Sequence, residues 1–212
     1  MGTYGAHLNS HKMRTRMNIN SEFILNRHNS FHWCQESHEI AKYSPACYDA
    51  RGVCSQDEWS SFHDVNKQKG DGVLSLSEYL EVENNYIRTA IEILKKSDLQ
   101  YLTIGYLEKS TFRTALFENA LSDRAELERM FSECFTGMRV SVRSKKMIWL
   151  LKLCLREKIW CIFVNFAHKF ELSFGYDYYM ILHAAIPNEE LQKIVERNHL
   201  YLNARSSFQY RK

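Results

Sequence analysis

The chain has 212 residues, 45% of them hydrophobic and 25% charged, with two Pro and eight Gly. That composition excludes wholesale disorder, and so few turn-forming residues favour helices over a many-stranded sheet. A formal net charge of +3 is too small to imply a nucleic-acid partner, and the length allows one large domain or two small ones.

The distribution of charge says more than its sum. Acids outnumber bases from Ser55 to Cys134, whereas Arg139, Arg143, Lys145, Lys146, Lys152, Arg156 and Lys158 face a single acid, Glu157. An acidic module followed by a basic, apolar segment is set up for attraction within one chain.

Residues 1–46 are expected to form a poorly ordered arm, because the early stretch mixes Gly, Asn, Ser, His and bases without a helical or strand period. Met1–Arg27 has no continuous apolar core of the secretory kind, so the expectation is a cytoplasmic protein with mostly reduced thiols among Cys34, Cys47, Cys54, Cys134, Cys154 and Cys161. His28, His32, Cys34 and His38 cluster, but their spacing matches no zinc pattern. Cys47–Cys54 reads as a loop, and Ser55 to Glu58 has the form of a capping box opening a helix at Asp57, with Trp59 and Phe62 turned inward.

Asp71, Gly72, Leu74, Ser75 and Glu78 follow in the order acid, glycine, aliphatic, hydroxyl, closing acid. This stretch resembles the second half of an EF-hand calcium loop. The resemblance implies one weak calcium ion at most, held by the side chains of Asp64, Asn66, Asp71, Ser75 and Glu78 and by the Val73 carbonyl, with affinity on the order of 10⁻⁴ M or weaker. Two registers stay open. Counting back from Glu78 over the usual length of about twelve residues puts Lys67 and Lys69 at ligand positions, where they would repel the ion. Starting at Asp64 makes Gln68, Lys69 and Gly70 an insertion. A polar turn before a capped helix is the alternative to both.

Ser75–Glu78 is a second capping box, and an apolar stripe from Tyr79 to Leu94 ending in Lys95 and Lys96 predicts a long amphipathic helix. Gly105–Phe112 lies over Gly72–Tyr79 at a constant offset, which the resemblance reads as a degenerate second hand around Asp98–Thr111 with Leu74 facing Leu107. Ser122–Cys134 reads as another amphipathic helix, and 47–141 is therefore expected to be an EF-hand-like pair.

Residues 142–212 are expected to be a helical C-terminal region. Within it, Met147–Phe166 is the most apolar stretch, yet Lys152, Arg156, Glu157 and Lys158 exclude a membrane span. It is read as a basic amphipathic or core helix. Phe174–His183 is ambiguous between helix and strand, and Asn188 caps a last helix. The expected fold is mainly α, an EF-hand-like helix-loop-helix pair with extra C-terminal helices.

No phosphate-binding Gly loop, His-Glu-x-x-His motif or nucleophile elbow occurs. The resemblance therefore implies a calcium-binding or sensor-like regulatory protein that acts through a protein partner. A metal-free interaction module, a membrane-surface protein and an unrecognised enzyme are the alternatives.

Overall fold

The structure, a computed structural model, describes residues 37–47, 59–69, 72–110, 118–119, 121–175 and 178–203. In chain order the elements are β1 (Ser37–Ala41), β2 (Gln68–Lys69), β3 (Gly72–Val73), α1 (Leu76–Lys96), β4 (Tyr101–Lys109), α2 (Arg124–Glu133), β5 (Arg139–Ser141), α3 (Lys145–Leu155), β6 (Ile159–Asn165), β7 (Phe170–Phe174), β8 (Tyr179–His183), α4 (Asn188–Arg197) and β9 (Tyr201–Asn203).

These elements overturn the mainly α expectation. A seven-stranded sheet runs in the order β5-β4-β6-β7-β8-β1-β9, with every neighbouring pair antiparallel. Register aligns Ile104, Phe163, Leu172 and Leu182 in one row across the sheet. All four are buried in the same cluster as Tyr86 and Ile93 of α1, Leu151 of α3 and Val195 of α4, so the helices lie on that face. Full burial of each such side chain stabilises by about 1.5–3 kcal/mol.

The Met147–Phe166 run is not one helix: α3 stops at Leu155, Glu157 takes a left-handed φ of 56, and the chain re-enters the core as β6. A strand buried on both faces is as continuously apolar as a core helix, so composition cannot separate them. The proposed second hand is likewise a strand. Leu102 and Ile104, within the stretch expected to be that hand, are buried in the core from β4, and Leu107 stands opposite Cys161, not Leu74. Gly105 marks a β-bulge where a Cβ would meet Val164 Cγ2 at 3.1 Å.

The long helix is where the sequence places it. Ser75 Oγ accepts from the Glu78 N–H at 3.2 Å and the Glu78 carboxylate accepts from the Ser75 N–H at 2.8 Å, a reciprocal cap. At the other end the Ser97 hydroxyl donates to the Ile93 carbonyl at 2.9 Å. α2 and α4 also match expected helices, although Asp123 and Pro187, not Ser122 and Asn188, hold their N-cap positions. The helix expected from Asp57 begins outside the described residues, and Phe62–Asp64 forms only a 3-10 turn, with Phe62 fully buried.

Candidate functional site

The expected calcium loop is closed as a β-hairpin. Gln68 and Lys69 of β2 pair with Val73 and Gly72 of β3, the Asn66 N–H donates to the Leu74 carbonyl at 2.8 Å, and the Leu74 N–H returns to Lys67 at 3.2 Å. Asn66 supplies the left-handed turn, with φ 65, a conformation Asn tolerates well. Asp64 is buried, accepts from the Ser60 N–H at 3.1 Å and sits 3.5 Å from Lys69 Nζ.

The Lys that would repel an ion thus neutralises the first acid itself. The Ser75 side chain and backbone hold the Glu78 carboxyl below its usual range and commit it to the helix cap. Val73 is exposed in β3, and Asp71 lies outside the described residues. Among the described residues no group of three His, Cys, Asp or Glu could hold a metal ion. The EF-hand and calcium reading is therefore withdrawn. Of the early His and Cys cluster only His38 is described, buried in β1; His28, His32 and Cys34 lie outside the described residues.

The most charged interior lies instead between α1, α2 and α3. Arg156, 1% exposed, donates to both carboxylate oxygens of fully buried Glu83 at 2.6 and 2.8 Å, and to Asp123 at 3.0 and 3.1 Å. Lys152 also pairs with Asp123. Lys158 reaches Glu118 at 2.9 Å. Burial pushes the Asp123 carboxyl up, but hydrogen bonds and charge from Arg156 and Lys152 outweigh it and hold the group below the usual carboxylate range. Desolvation disfavours the Arg156 charge, yet Glu83 and Asp123 more than offset it and raise its pKa.

Beside this ion cluster stand packed aromatics. The rings of Phe62 and Trp59 lie 4.8 and 5.5 Å from Tyr79, and Trp59 lies 5.1 Å from Tyr178. The Tyr178 hydroxyl donates to the Tyr79 hydroxyl at 2.5 Å, which in turn lies 3.3 Å from both Glu83 and the Leu155 carbonyl. Burial, reinforced by neighbouring negative groups, raises the pKa of both tyrosines. Tyr178 has φ 65, and the Tyr86 hydroxyl donates to its carbonyl, so this strained backbone is pinned from both sides. Every one of these polar groups faces another protein group. The network is built to hold α1 against α3 and the sheet.

Concavity lies elsewhere, where α1 ends against α4. Lys96 pairs with Glu190, Arg197 reaches Glu92 at 3.3 Å and Asn198 reaches the same carboxylate at 3.2 Å, so the two helices run antiparallel. Two adjoining clefts share Lys96 and Glu190. One, of about 320 Å³, runs over Phe170 and the Ala184–Pro187 loop toward His168; the other, of about 390 Å³, is walled by Glu92, Lys95, Lys193, Ile194 and Arg197.

Lys193 and Arg197 stand one helical turn apart on the exposed side of α4. Among the described residues neither Lys95 nor Lys193 has an ionic partner. In sequence Lys95 and Lys96 mark only the end of the long helix, and nothing there assigns Lys193 and Arg197 a role. Their i,i+4 spacing on a legible helix was the available signal, but the approach of α1 to α4 is a tertiary fact.

The basic segment that attracted attention in sequence is partly internal, because Arg156 and Lys158 are buried in ion pairs. Among the described residues no helix is long and apolar enough to cross a membrane. No protein-family model matches the chain, and neither does any curated protein or solved structure.

Proposed function

We propose that this chain is a protein-interaction module that binds a protein partner in the groove between α1 and α4. The observation that carries the reading is that groove: two adjoining clefts lined in part by apolar side chains, with Lys95 and Lys193 on the rim unpaired among the described residues, between helices already tied to each other. Pre-organisation favours binding, since α1 and α4, tied to each other through Glu92 and Glu190 and packed on one core, lose little freedom when a partner docks.

Cys47 is disulfide-bonded, which favours a more oxidising compartment than the cytoplasmic setting expected from sequence, while the buried thiols Cys134, Cys154 and Cys161 are free. The module reading is tested by placing a photoreactive residue at Lys193 or, as a control surface, at Arg143, in the full chain in the cells that make it. A discrete protein adduct from Lys193 with none from Arg143 supports the reading. Absence of an adduct from Lys193 would sink it.

A further inference from the structure

We infer that the segment bound in this groove is acidic with an apolar face, a deepening that rests on the interaction-module reading above. Six charged groups wall the second cleft and the shared rim: Lys95, Lys96, Lys193 and Arg197 against Glu92 and Glu190. Lys96 and Arg197 are held by Glu190 and Glu92, which leaves Lys95 and Lys193 facing solvent with uncompensated charge on opposite walls. A partner offering carboxylates about one helical turn apart meets both walls at once.

Between the walls the floor is Ile194, itself 6% exposed, so an apolar side chain between the carboxylates gains contact mainly from the aliphatic stems of Lys95 and Lys193. Glu190 is 36% exposed at its side chain and Lys96 50%, so that pair is open to exchange, with a partner carboxylate taking the place of Glu190.

The same lining disfavours the other anionic partners. Nucleic-acid phosphates would lie against Glu92 and Glu190 and gain nothing from the Ile194 floor. A flat anionic membrane would meet the rim but not the recessed strip. The mixed-sign, apolar-floored groove suits a protein segment that can present both kinds of side chain.

The test uses the full chain and three labelled probes: a helix-forming peptide with Glu and Leu on one face, its Glu→Gln twin, and a single-stranded DNA oligonucleotide, with anionic lipid vesicles as a fourth arm. Fluorescence anisotropy at low and high salt should show binding of the acidic peptide that weakens with salt, and at least about tenfold weaker binding of the twin. Lys95→Glu with Lys193→Glu should weaken the acidic peptide by about tenfold or more, Lys193→Gln by less, and Arg143→Glu not at all.

Both groove positions are exposed, and unchanged melting of the variants confirms that they fold. Equal or tighter binding of DNA or vesicles, or indifference of the peptide to the double reversal, overturns the inference. A cellular adduct from Lys193 together with no binding of the acidic peptide overturns the inference and leaves the module reading standing. Absence of an adduct from Lys193 removes the reading and the inference together.

Discussion

Replacing Arg156 by methionine would leave Glu83 fully buried with its two guanidinium bonds gone. With only Lys152 Nζ at 3.8 Å and the Tyr79 hydroxyl at 3.3 Å left to face it, the buried carboxylate is expected to cost up to about 3–5 kcal/mol, read as a drop in the denaturant midpoint. Combining Arg156→Met with Glu83→Leu should recover much of that loss, since a well-packed apolar pair avoids the desolvation penalty; a double variant no more stable than the single one would contradict this.

Asp123 supplies the pH dependence. Its pKa is depressed in the folded chain, so its contribution is present above its ordinary value of 3.8 and is lost as pH falls through the lower folded value. A melting series from neutrality to below about pH 4 should therefore fall more steeply in the parent than in Asp123→Asn, which lacks that titration. At this scale the sequence disclosed residue types but not partners. Glu83 looked like a polar interruption of a helix stripe, and nothing in the chain announces that a residue seventy-three positions away completes it.

At the scale of elements, α1 was legible because its signals are local: a capping box, a 3.6-residue stripe and terminal bases all lie within one segment. The predicted effect of Ser75→Ala follows from that locality. Loss of the cap should cost about 1 kcal/mol and fray the first turn, seen as faster amide exchange around Leu76–Tyr79 with the sheet unaffected.

The strands were not legible for the converse reason. β6 is buried on both faces, so Ile159–Asn165 lacks the alternation that identifies a half-exposed strand, whereas Phe170–Phe174 does alternate apolar and polar residues but is only five residues long and buries Glu171 and Ser173 as well. The oxygen-rich loop misled because its residue types suit two structures. Asn66 serves a left-handed turn and Ser75 with Glu78 serve a cap, so the same letters that resemble a calcium loop are used by a hairpin leading into a helix.

For the molecule as a whole, the groove exists only because α4 is carried back onto α1 by the sheet, and no single segment encodes it. The cysteines divide in a way that can be measured. Alkylation of the denatured, unreduced chain followed by peptide mapping should label Cys134, Cys154 and Cys161, while Cys47 should label only after reduction. Labelling of Cys47 without reductant would remove the argument for an oxidising compartment. In the folded chain Cys161 should react slowest, because burial, and then its contact with Cys154, raises the thiol pKa and keeps the reactive thiolate scarce.

The sheet order places β1 between β8 and β9, so the first of the described strands is completed only by the last two. During synthesis both hydrogen-bonding edges of Ser37–Ala41 wait for partners until nearly all of the described chain has been made. Such long-range closure is slow, and an unpaired strand is a template for aggregation in the meantime. Refolding from denaturant should therefore be slow relative to helical proteins of this size, with protection of α1 amides preceding that of Glu39–Ala41 in pulsed exchange. A nascent chain halted before Tyr179 should hold its first strand open, and would depend on a chaperone until the ribosome releases the remainder.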